Sequence, residues 1–312
     1  MEYSANHPLS DTPPLEQAQT LTQAQGPQAQ GPQAQKQSRL WLNLSGQDSE
    51  QLRALASDST VQTRLRQSSV AGVYLSLDVA QDVLETWAGA CLASGKPSFI
   101  LVPQAQQVFA RQRNSWKWHF KRLGDRLVAA LLLLLLSPLM IVLAILVKCS
   151  SSGPVFFRQW RVGQQGQLFR IFKFRTMGAG AERQHHQVMG QQQGLNKCEN
   201  DPRVTWVGRW MRKSSLDELP QLFNVITGEM SLVGPRPWAL YDAVQIRPSD
   251  RHRLRALPGI TGLWQVSGRS QLLDIDRVTG LDLQYIKTWS LRNDLKILLM
   301  TFPSVILGRG AC

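Results

Sequence analysis

Acidic residues are scarce where this chain is most basic: residues 116–175 hold ten lysines and arginines and one acid, Asp125. Over all 312 residues, 35 basic side chains face 22 acidic ones, a net charge of +13. Such an excess suits an anionic membrane face or a phosphate-rich substrate. Nucleic acid would use the same charge, but the sequence has no zinc-finger, aromatic RNA-binding or basic-zipper pattern, so nucleic acid is set aside as a partner. Cysteine is sparse as well. Cys91, Cys149, Cys198 and Cys312 lie far apart, without a CxxC pair or a histidine cluster at metal spacing. This excludes a disulfide framework and points to reduced, incidental thiols. His185-His186 reads as a solvated pair in a Gln-rich loop.

Large apolar side chains are missing from residues 1–37, where Gly26-Pro27-Gln28-Ala29-Gln30 repeats as Gly31-Pro32-Gln33-Ala34-Gln35. Such a segment cannot bury enough surface to fold and reads as a disordered arm. It has no charged start followed by an apolar run, so it is not a signal peptide. From Arg39 the pattern changes. Strands at 40–44, 70–77 and 98–102 alternate with helices at 50–67 and 79–94, a small βαβαβ unit over residues 38–104 with a parallel sheet. It lacks a glycine-rich phosphate loop, which favours a binding or docking role over catalysis.

One long hydrophobic run is present. Residues 127–147 are twenty-one residues without a charge, about 31 Å as a straight helix against a hydrocarbon core of roughly 30 Å. A single span is the simplest reading. Against it, Ser137-Pro138 sits at the middle, where Pro138 removes a backbone donor and crowds the Leu134 carbonyl. Basic residues also flank both ends, whereas a spanning helix leaves one flank poor in them. A helix that enters, breaks at Ser137-Pro138 and leaves by the same face meets both objections, with the Ser137 hydroxyl available to the freed carbonyl. Both topologies stay open on these grounds. Trp116 and Trp118 would anchor the start at the headgroup level. Residues 203–213 alternate apolar and basic side chains, as an interfacial or an ordinary core-facing helix would. The apolar stretch 295–307 is too short to span and reads as a surface-lying element.

The acidic pair Asp217-Glu218 lies in Ser214-Ser215-Leu216-Asp217-Glu218-Leu219-Pro220, ahead of Gly234-Pro235-Arg236-Pro237. One carboxylate can act as a covalent nucleophile while its neighbour carries a divalent ion. On an α-helix the two would point about 100° apart, so the roles need not compete. The plainer reading is a helix cap, with Ser214 or Ser215 closing an N-terminus whose dipole the acids balance. Lys173 and Arg175 alternate with apolar residues in Phe172-Lys173-Phe174-Arg175, so a strand would put both cations on one face to grip a diphosphate. An edge strand guarded by charge has the same pattern. Arg236, between two prolines, presents its guanidinium from a stiff backbone.

Together, Lys173-Phe174-Arg175-Thr176-Met177, Asp201-Pro202-Arg203-Val204-Thr205, Asp217-Glu218-Leu219-Pro220-Gln221, Met230-Ser231-Leu232-Val233-Gly234-Pro235-Arg236-Pro237 and Pro258-Gly259-Ile260-Thr261-Gly262-Leu263-Trp264-Gln265-Val266 closely resemble the bacterial sugar transferases, the monotopic phosphoglycosyl transferases. The resemblance runs from about Lys117 to the C-terminus. It implies transfer of a sugar 1-phosphate from a UDP-sugar to a polyprenyl phosphate, with release of UMP, starting a lipid-linked polysaccharide. Asp217 matches the family's nucleophile and Glu218 its Mg²⁺ ligand. Arg212 and Arg236 match phosphate-handling positions, with Lys173 and Arg175 as further candidates, and Ser137-Pro138 matches the re-entrant break. The expected architecture is an α/β N-terminal unit followed by a mostly helical, monotopic membrane-associated domain over residues 116–312, with a re-entrant helix hairpin. The expected location is the cytoplasmic face of the inner membrane, with membrane lipids and polysaccharide-assembly proteins as partners. The resemblance does not cover the βαβαβ unit or the Gln- and His-rich loop 179–196.

Two other functions compete. Asp274-Ile275-Asp276 has the DxD form of a nucleotide-sugar glycosyltransferase, which would release UDP. A non-catalytic membrane-surface scaffold would use the basic belt for docking alone.

Overall fold

A computed structural model of the chain describes residues 40–44, 52–53, 61–102, 115–178, 180–181, 201–267 and 274–306. The expected disordered arm and most of the loop 179–196 lie outside the described residues. The chain forms two compact units, Met1–Ser98 and Phe99–Cys312.

In the first unit, β1 (Leu40–Leu44), α1 (Val61–Gln67), β2 (Val70–Leu75) and α2 (Gln81–Ala93) precede β3 (Ser98–Ile100), which lies across the boundary. The sheet order is β1-β2-β3, with β1 and β2 parallel. The α2 helix buries Val83, Leu84, Trp87, Ala88 and Cys91 along one stripe, the 3.6-residue periodicity of a core-facing helix. The Trp87 indole N–H donates to the Leu52 carbonyl at 3.1 Å. Burial pushes the Cys91 thiol up to about 12, so it stays protonated and unreactive.

The second unit opens on α3 (Trp116–Ser150), whose N-terminus is capped by Ser115. The helix runs through Pro138 without a break. The expected interruption at Ser137-Pro138 is bridged by the serine itself: its hydroxyl donates to the Leu134 carbonyl at 2.8 Å. That carbonyl is the acceptor that proline leaves without its usual i+4 donor. Any reversal of direction is therefore a bend in one continuous helix.

The antiparallel hairpin β4 (Phe156–Val162) and β5 (Leu168–Phe174) follows. Then come α4 (Trp206–Lys213), a 3-10 turn (Leu216–Glu218), α5 (Gln221–Thr227), β6 (Ser231–Val233) and α6 (Leu240–Ala243). A 3-10 segment (Pro248–Arg255), β7 (Gly259–Thr261), α7 (Leu263–Val266), α8 (Ile275–Lys287) and α9 (Leu291–Ile306) complete it. Strands β6 and β7 pair in parallel. The outer edge of β5 is closed by a side chain: Asn224, fully buried, accepts from the Phe172 N–H at 3.0 Å and donates to the Arg170 carbonyl at 2.9 Å. The amide does for this edge what a neighbouring strand would do. It also locks α5 to β5.

Two apolar clusters hold α3 to this unit. Ala129, with Leu132 and Leu133, packs among Phe169, Ile171, Leu222 and Val225. Beyond Pro138, Met140, Leu143 and Val147 pack with Phe174, Val207 and Met211. The opposite face of the helix is bare: Leu127, Val128, Leu131, Leu134, Leu135, Leu139, Ile141, Val142 and Ile145 are all exposed, Leu134 to 72%. At about 1 kcal/mol for each half-buried large side chain, this row left in water forgoes on the order of 10 kcal/mol, as much as a whole domain's stability. Water is not the solvent this face is made for. By length and composition α3 is long and apolar enough to cross a membrane.

Candidate active site

The acidic pair does not begin an α-helix. Asp217 and Glu218 occupy a single 3-10 turn, where successive residues point about 120° apart rather than 100°. Neither preceding serine caps it. Ser214 closes α4, its hydroxyl donating to the Trp210 and Met211 carbonyls at 3.0 and 3.3 Å. Ser215 takes φ +55°, a left-handed conformation, and its side chain makes no cap bond. A non-glycine residue in that region costs on the order of 1 kcal/mol and persists only where its surroundings demand it. Here it turns the chain sharply between α4 and the acidic turn. Leu216 and Leu219, flanking the pair, pack against the cluster of Met140, Leu143, Val147, Phe174, Val207 and Met211, to which α3, β5 and α4 all contribute. The two carboxylates thus sit beside the apolar cluster that also seats the helix whose outer face is apolar.

Each carboxylate has a cationic neighbour from a different element. The Lys173 ammonium on β5 donates to Glu218 Oε1 at 2.8 Å, with both side chains about one-fifth exposed. Arg212, on the last turn of α4, attracts Asp217 electrostatically; burial lowers its guanidinium below the usual arginine value, and Asp217 and Asp201 oppose that shift. Asp217 is itself buried. Arg212 Nε donates to Thr176 Oγ1 at 2.9 Å. Asp201 holds Arg203 through three hydrogen bonds of 2.6–3.0 Å, and these bonds keep its carboxyl below the ordinary aspartate range. The close fit of α4 against residue 176 depends on Gly208, where a Cβ would stand 2.1 Å from the Thr176 carbonyl oxygen.

The structure separates the two cations expected on one face. Lys173 reaches the acidic pair, whereas the Arg175 guanidinium donates to the Ser151 carbonyl and hydroxyl at 2.7 and 3.0 Å, beyond the end of α3. The strand β5 ends at Phe174, so the period-two alternation does not extend to residue 175.

Arg236 lies over the Trp264 ring at 4.9 Å. Arg161, fully enclosed, donates to the Pro237 carbonyl at 3.2 Å. Burial lowers its guanidinium; Tyr241, Asp242 and Glu218 oppose that shift and Arg236 adds to it. Asp242 is raised by burial, against the pull of Arg236 and Arg161. Arg161, Thr176, Asp242 and Trp264 were not singled out as site residues from sequence. Arg161 sits between Trp160 and Val162 like any strand arginine, and nothing local marks it as buried.

The DxD element is a helix start. Asp274 caps α8, accepting from the Asp276 N–H at 2.9 Å, and Asp276 pairs with Arg247 on an exposed surface. Of the interfacial candidates, α4 divides its faces: Val207 and Met211 are buried, whereas Trp206 and Trp210 are exposed. On α9, Ile297 is buried and Leu295, Leu299 and Met300 are exposed. Among the described residues no group of three or more His, Cys, Asp or Glu side chains forms a metal cage. A magnesium ion does not require one, since it is commonly held by one or two carboxylates with substrate phosphates and water completing its shell. The adjacent Asp217 and Glu218 fit that habit.

Residues 116–308 match the family model described as bacterial sugar transferase. The chain is similar to galactosyl transferase CpsE of Streptococcus agalactiae serotype III (strain NEM316), 46% identical over 165 residues, 51% of this chain and 36% of the relative. It is similar to exopolysaccharide production protein ExoY of Rhizobium meliloti (strain 1021), 45% identical over 203 residues, 61% of this chain and 87% of the relative. It is also similar to UDP-glucose:undecaprenyl-phosphate glucose-1-phosphate transferase of Klebsiella pneumoniae, 42% identical over 213 residues, 65% of this chain and 44% of the relative. The chain thus spans most of ExoY but less than half of the other two.

Proposed function

Because the chain belongs to the bacterial sugar transferase family, we propose that it moves a sugar 1-phosphate from a UDP-sugar to a polyprenyl phosphate of the undecaprenyl type, releasing UMP. The observation that carries this reading is the acidic turn: Asp217 beside Arg212, Glu218 paired with Lys173, and both flanking leucines packed against the cluster that also seats the lipid-type helix. A water-soluble donor and a lipid acceptor can then meet at one pair of carboxylates.

A carboxylate oxygen of Asp217 attacks the β-phosphorus of the donor, and the bond from that phosphorus to the bridging oxygen breaks. UMP leaves with the electron pair, and an aspartyl sugar-phosphate remains. A phosphate oxygen of the polyprenyl phosphate then attacks the same phosphorus, the acyl phosphate bond breaks, and the Asp217 carboxylate is restored. Asp217 needs no base, since an aspartate is ionised at neutral pH. Phosphoryl transfer depends on positioning and charge neutralisation, which Lys173, Arg212 and Arg236 supply. Glu218, with Asp217 beside it, would hold Mg²⁺, whose bound charge offsets that of the diphosphate. The product would initiate a lipid-linked exopolysaccharide or glycan. Names among the relatives include both glucose and galactose transfer.

We infer that α3 is re-entrant and that the site faces the cytoplasm at the inner membrane. Support comes from both ends of the helix. Near its start Arg122 donates to the Gly228 carbonyl at 2.9 Å, and just past its end Ser151 accepts from Arg175. Apolar residues on both sides of Pro138 pack on this one unit. A straight span would carry one end about 30 Å away, across the hydrocarbon.

The test is nucleotide release from a panel of UDP-sugars by membrane-reconstituted protein with polyprenyl phosphate and Mg²⁺. UMP that disappears in Asp217→Asn is the expected result. UDP as the product, or full turnover by Asp217→Asn, would overturn the mechanism.

A further inference from the structure

The backbone from Pro235 to Trp238 carries Arg236, and every carbonyl in it has a named partner. The Pro235 carbonyl accepts from the Gly259 N–H at 2.9 Å, and the Trp238 carbonyl accepts from the Val162 N–H at 3.0 Å. The Pro237 carbonyl accepts from Arg161. Pro235 and Pro237 have no N–H. The carbonyl of Arg236 itself goes to a side chain 17 residues downstream, accepting from Arg253 Nη2 at 3.1 Å. Arg253 and Asp282 are joined to each other, and both are fully enclosed. The Arg253 guanidinium also lies over the Trp238 ring at 5.0 Å.

As a device for stability this pair is poor. Taking both ions out of water costs several kcal/mol each, regained only when every remaining donor and acceptor is met. Here Arg253 Nε and Asp282 Oδ1 are buried without a protein partner. What the pair does accomplish is geometric: Arg253 holds the Arg236 carbonyl, and Asp282 together with the Trp238 ring fixes the Arg253 guanidinium, so the peptide plane between residues 236 and 237 is held from turning. With Trp264 beneath the guanidinium, the side chain leaves that fixed backbone in one direction.

We propose that Asp282 and Arg253 are positioning residues for Arg236, a buried ion pair in which Asp282 orients Arg253 and Arg253 clamps the Arg236 carbonyl of the Pro-Arg-Pro segment, so that the guanidinium meets the donor diphosphate in a fixed orientation. This rests on the reading of Arg236 as a phosphate-binding residue. A displacement of about 1 Å at such a group is enough for a loss on the order of 100-fold.

A double-mutant cycle on the reconstituted enzyme tests it, read as kcat/KM for the UDP-sugar, which in a ping-pong scheme reports the donor half-reaction alone. Asp282→Asn is expected to lower that value roughly 10- to 100-fold in the wild-type background and less than about 2-fold in Arg236→Ala, because a clamp with nothing to hold has no further effect. Equal factors in both backgrounds would overturn the proposal while leaving Arg236 a phosphate ligand. If Arg236→Ala itself changes nothing, the phosphate reading fails and the proposal with it. Should Asp282→Asn not fold, Arg253→Lys keeps the charge opposite Asp282 but loses the guanidinium fork, and the same cycle is run with it; equal factors again overturn the clamp.

Discussion

Replacing Gly208 by alanine sets local preference against tertiary fit. Within an α-helix the change should stabilise by about 1 kcal/mol, since glycine is the poorer helix former. Yet the new Cβ would stand 2.1 Å from the Thr176 carbonyl oxygen and 2.8 Å from its carbonyl carbon and Cα. All three are backbone atoms and cannot swing aside, so α4 and residue 176 must part by roughly 1 Å, an overpacking cost of about 2–3 kcal/mol, the upper part of the usual range. The clash wins, for a net loss of about 1–2 kcal/mol. For a unit of this size that lowers the melting temperature by roughly 2–8 °C. The same movement stretches the 2.9 Å bond from Arg212 Nε to Thr176 Oγ1 beyond hydrogen-bonding range. Arg212 then loses its aim on Asp217, and turnover should fall on the order of 100-fold. Gly280→Ala on α8 is the control: nothing lies within 4 Å of its Cβ position, so it should stabilise by about 0.5–1 kcal/mol with unchanged turnover. Thermal melts in detergent and UMP release measure both. If Gly208→Ala melts at or above the wild type with normal turnover, the argument from close approach is wrong.

Asn224→Leu should destabilise by roughly 2–4 kcal/mol, because the Phe172 N–H and Arg170 carbonyl lose the buried amide that pairs them; a melting temperature within 2 °C of wild type, on the scale used above, would contradict this. Acid stability should separate two carboxylates of opposite sign. Burial pushes Asp282 from 3.8 up to about 6, so between these values the folded state keeps a proton the unfolded state has released, and the group's contribution falls as pH rises, by roughly 3 kcal/mol in all. The stability of wild type minus that of Asp282→Asn should slope downward over that window and be flat above it; a flat difference throughout refutes the shift. Asp201, held low by Arg203, contributes stability above its unfolded value of 3.8, lost only below it, so Asp201→Asn should leave the slope between pH 4 and 6 intact. Pro138→Leu restores the helix donor and is expected to straighten α3 toward a span. The natural Cys149, exposed at the end of α3, then becomes reactive to an impermeant maleimide from the side opposite a cysteine placed at residue 117, whereas both label from one side in the parent; labelling from one side in both proteins would refute the bend.

Several features were legible from local sequence because local chemistry decides them. A twenty-one-residue run without charge can only be a membrane-type helix or a deeply buried one, and α3 spans it. The Leu134 carbonyl needed a donor once Pro138 was placed four residues on, and Ser137 was the hydroxyl within reach. The alternation around Lys173 marked it as a cation on one face of a strand; that this face meets the acidic pair came from the structure. The same alternation misled at Arg175, because β5 ends one residue earlier and its edge is closed by an asparagine fifty residues away. Helix capping, too, was a sound general rule applied to the wrong serines: Ser215 makes a left-handed turn into Leu216 and Leu219, which pack against a cluster built from α3, β5 and α4 that no local pattern encodes. Asp274-Ile275-Asp276 resolved the other way, into an ordinary cap.

By itself the sequence determined which residues carry charge, where the chain must leave water and which acidic pair has a Pro-pinned arginine to follow it. Those are properties of composition and short spacing, set within a few residues. Tertiary structure alone decided that Arg161, Arg253 and Asp282 are enclosed around the Pro-Arg-Pro segment, and that α4 approaches residue 176 closely enough to require glycine. Burial and close approach are made by elements distant in the chain, and the desolvation that gives a buried arginine or aspartate its character exists only once those elements have packed.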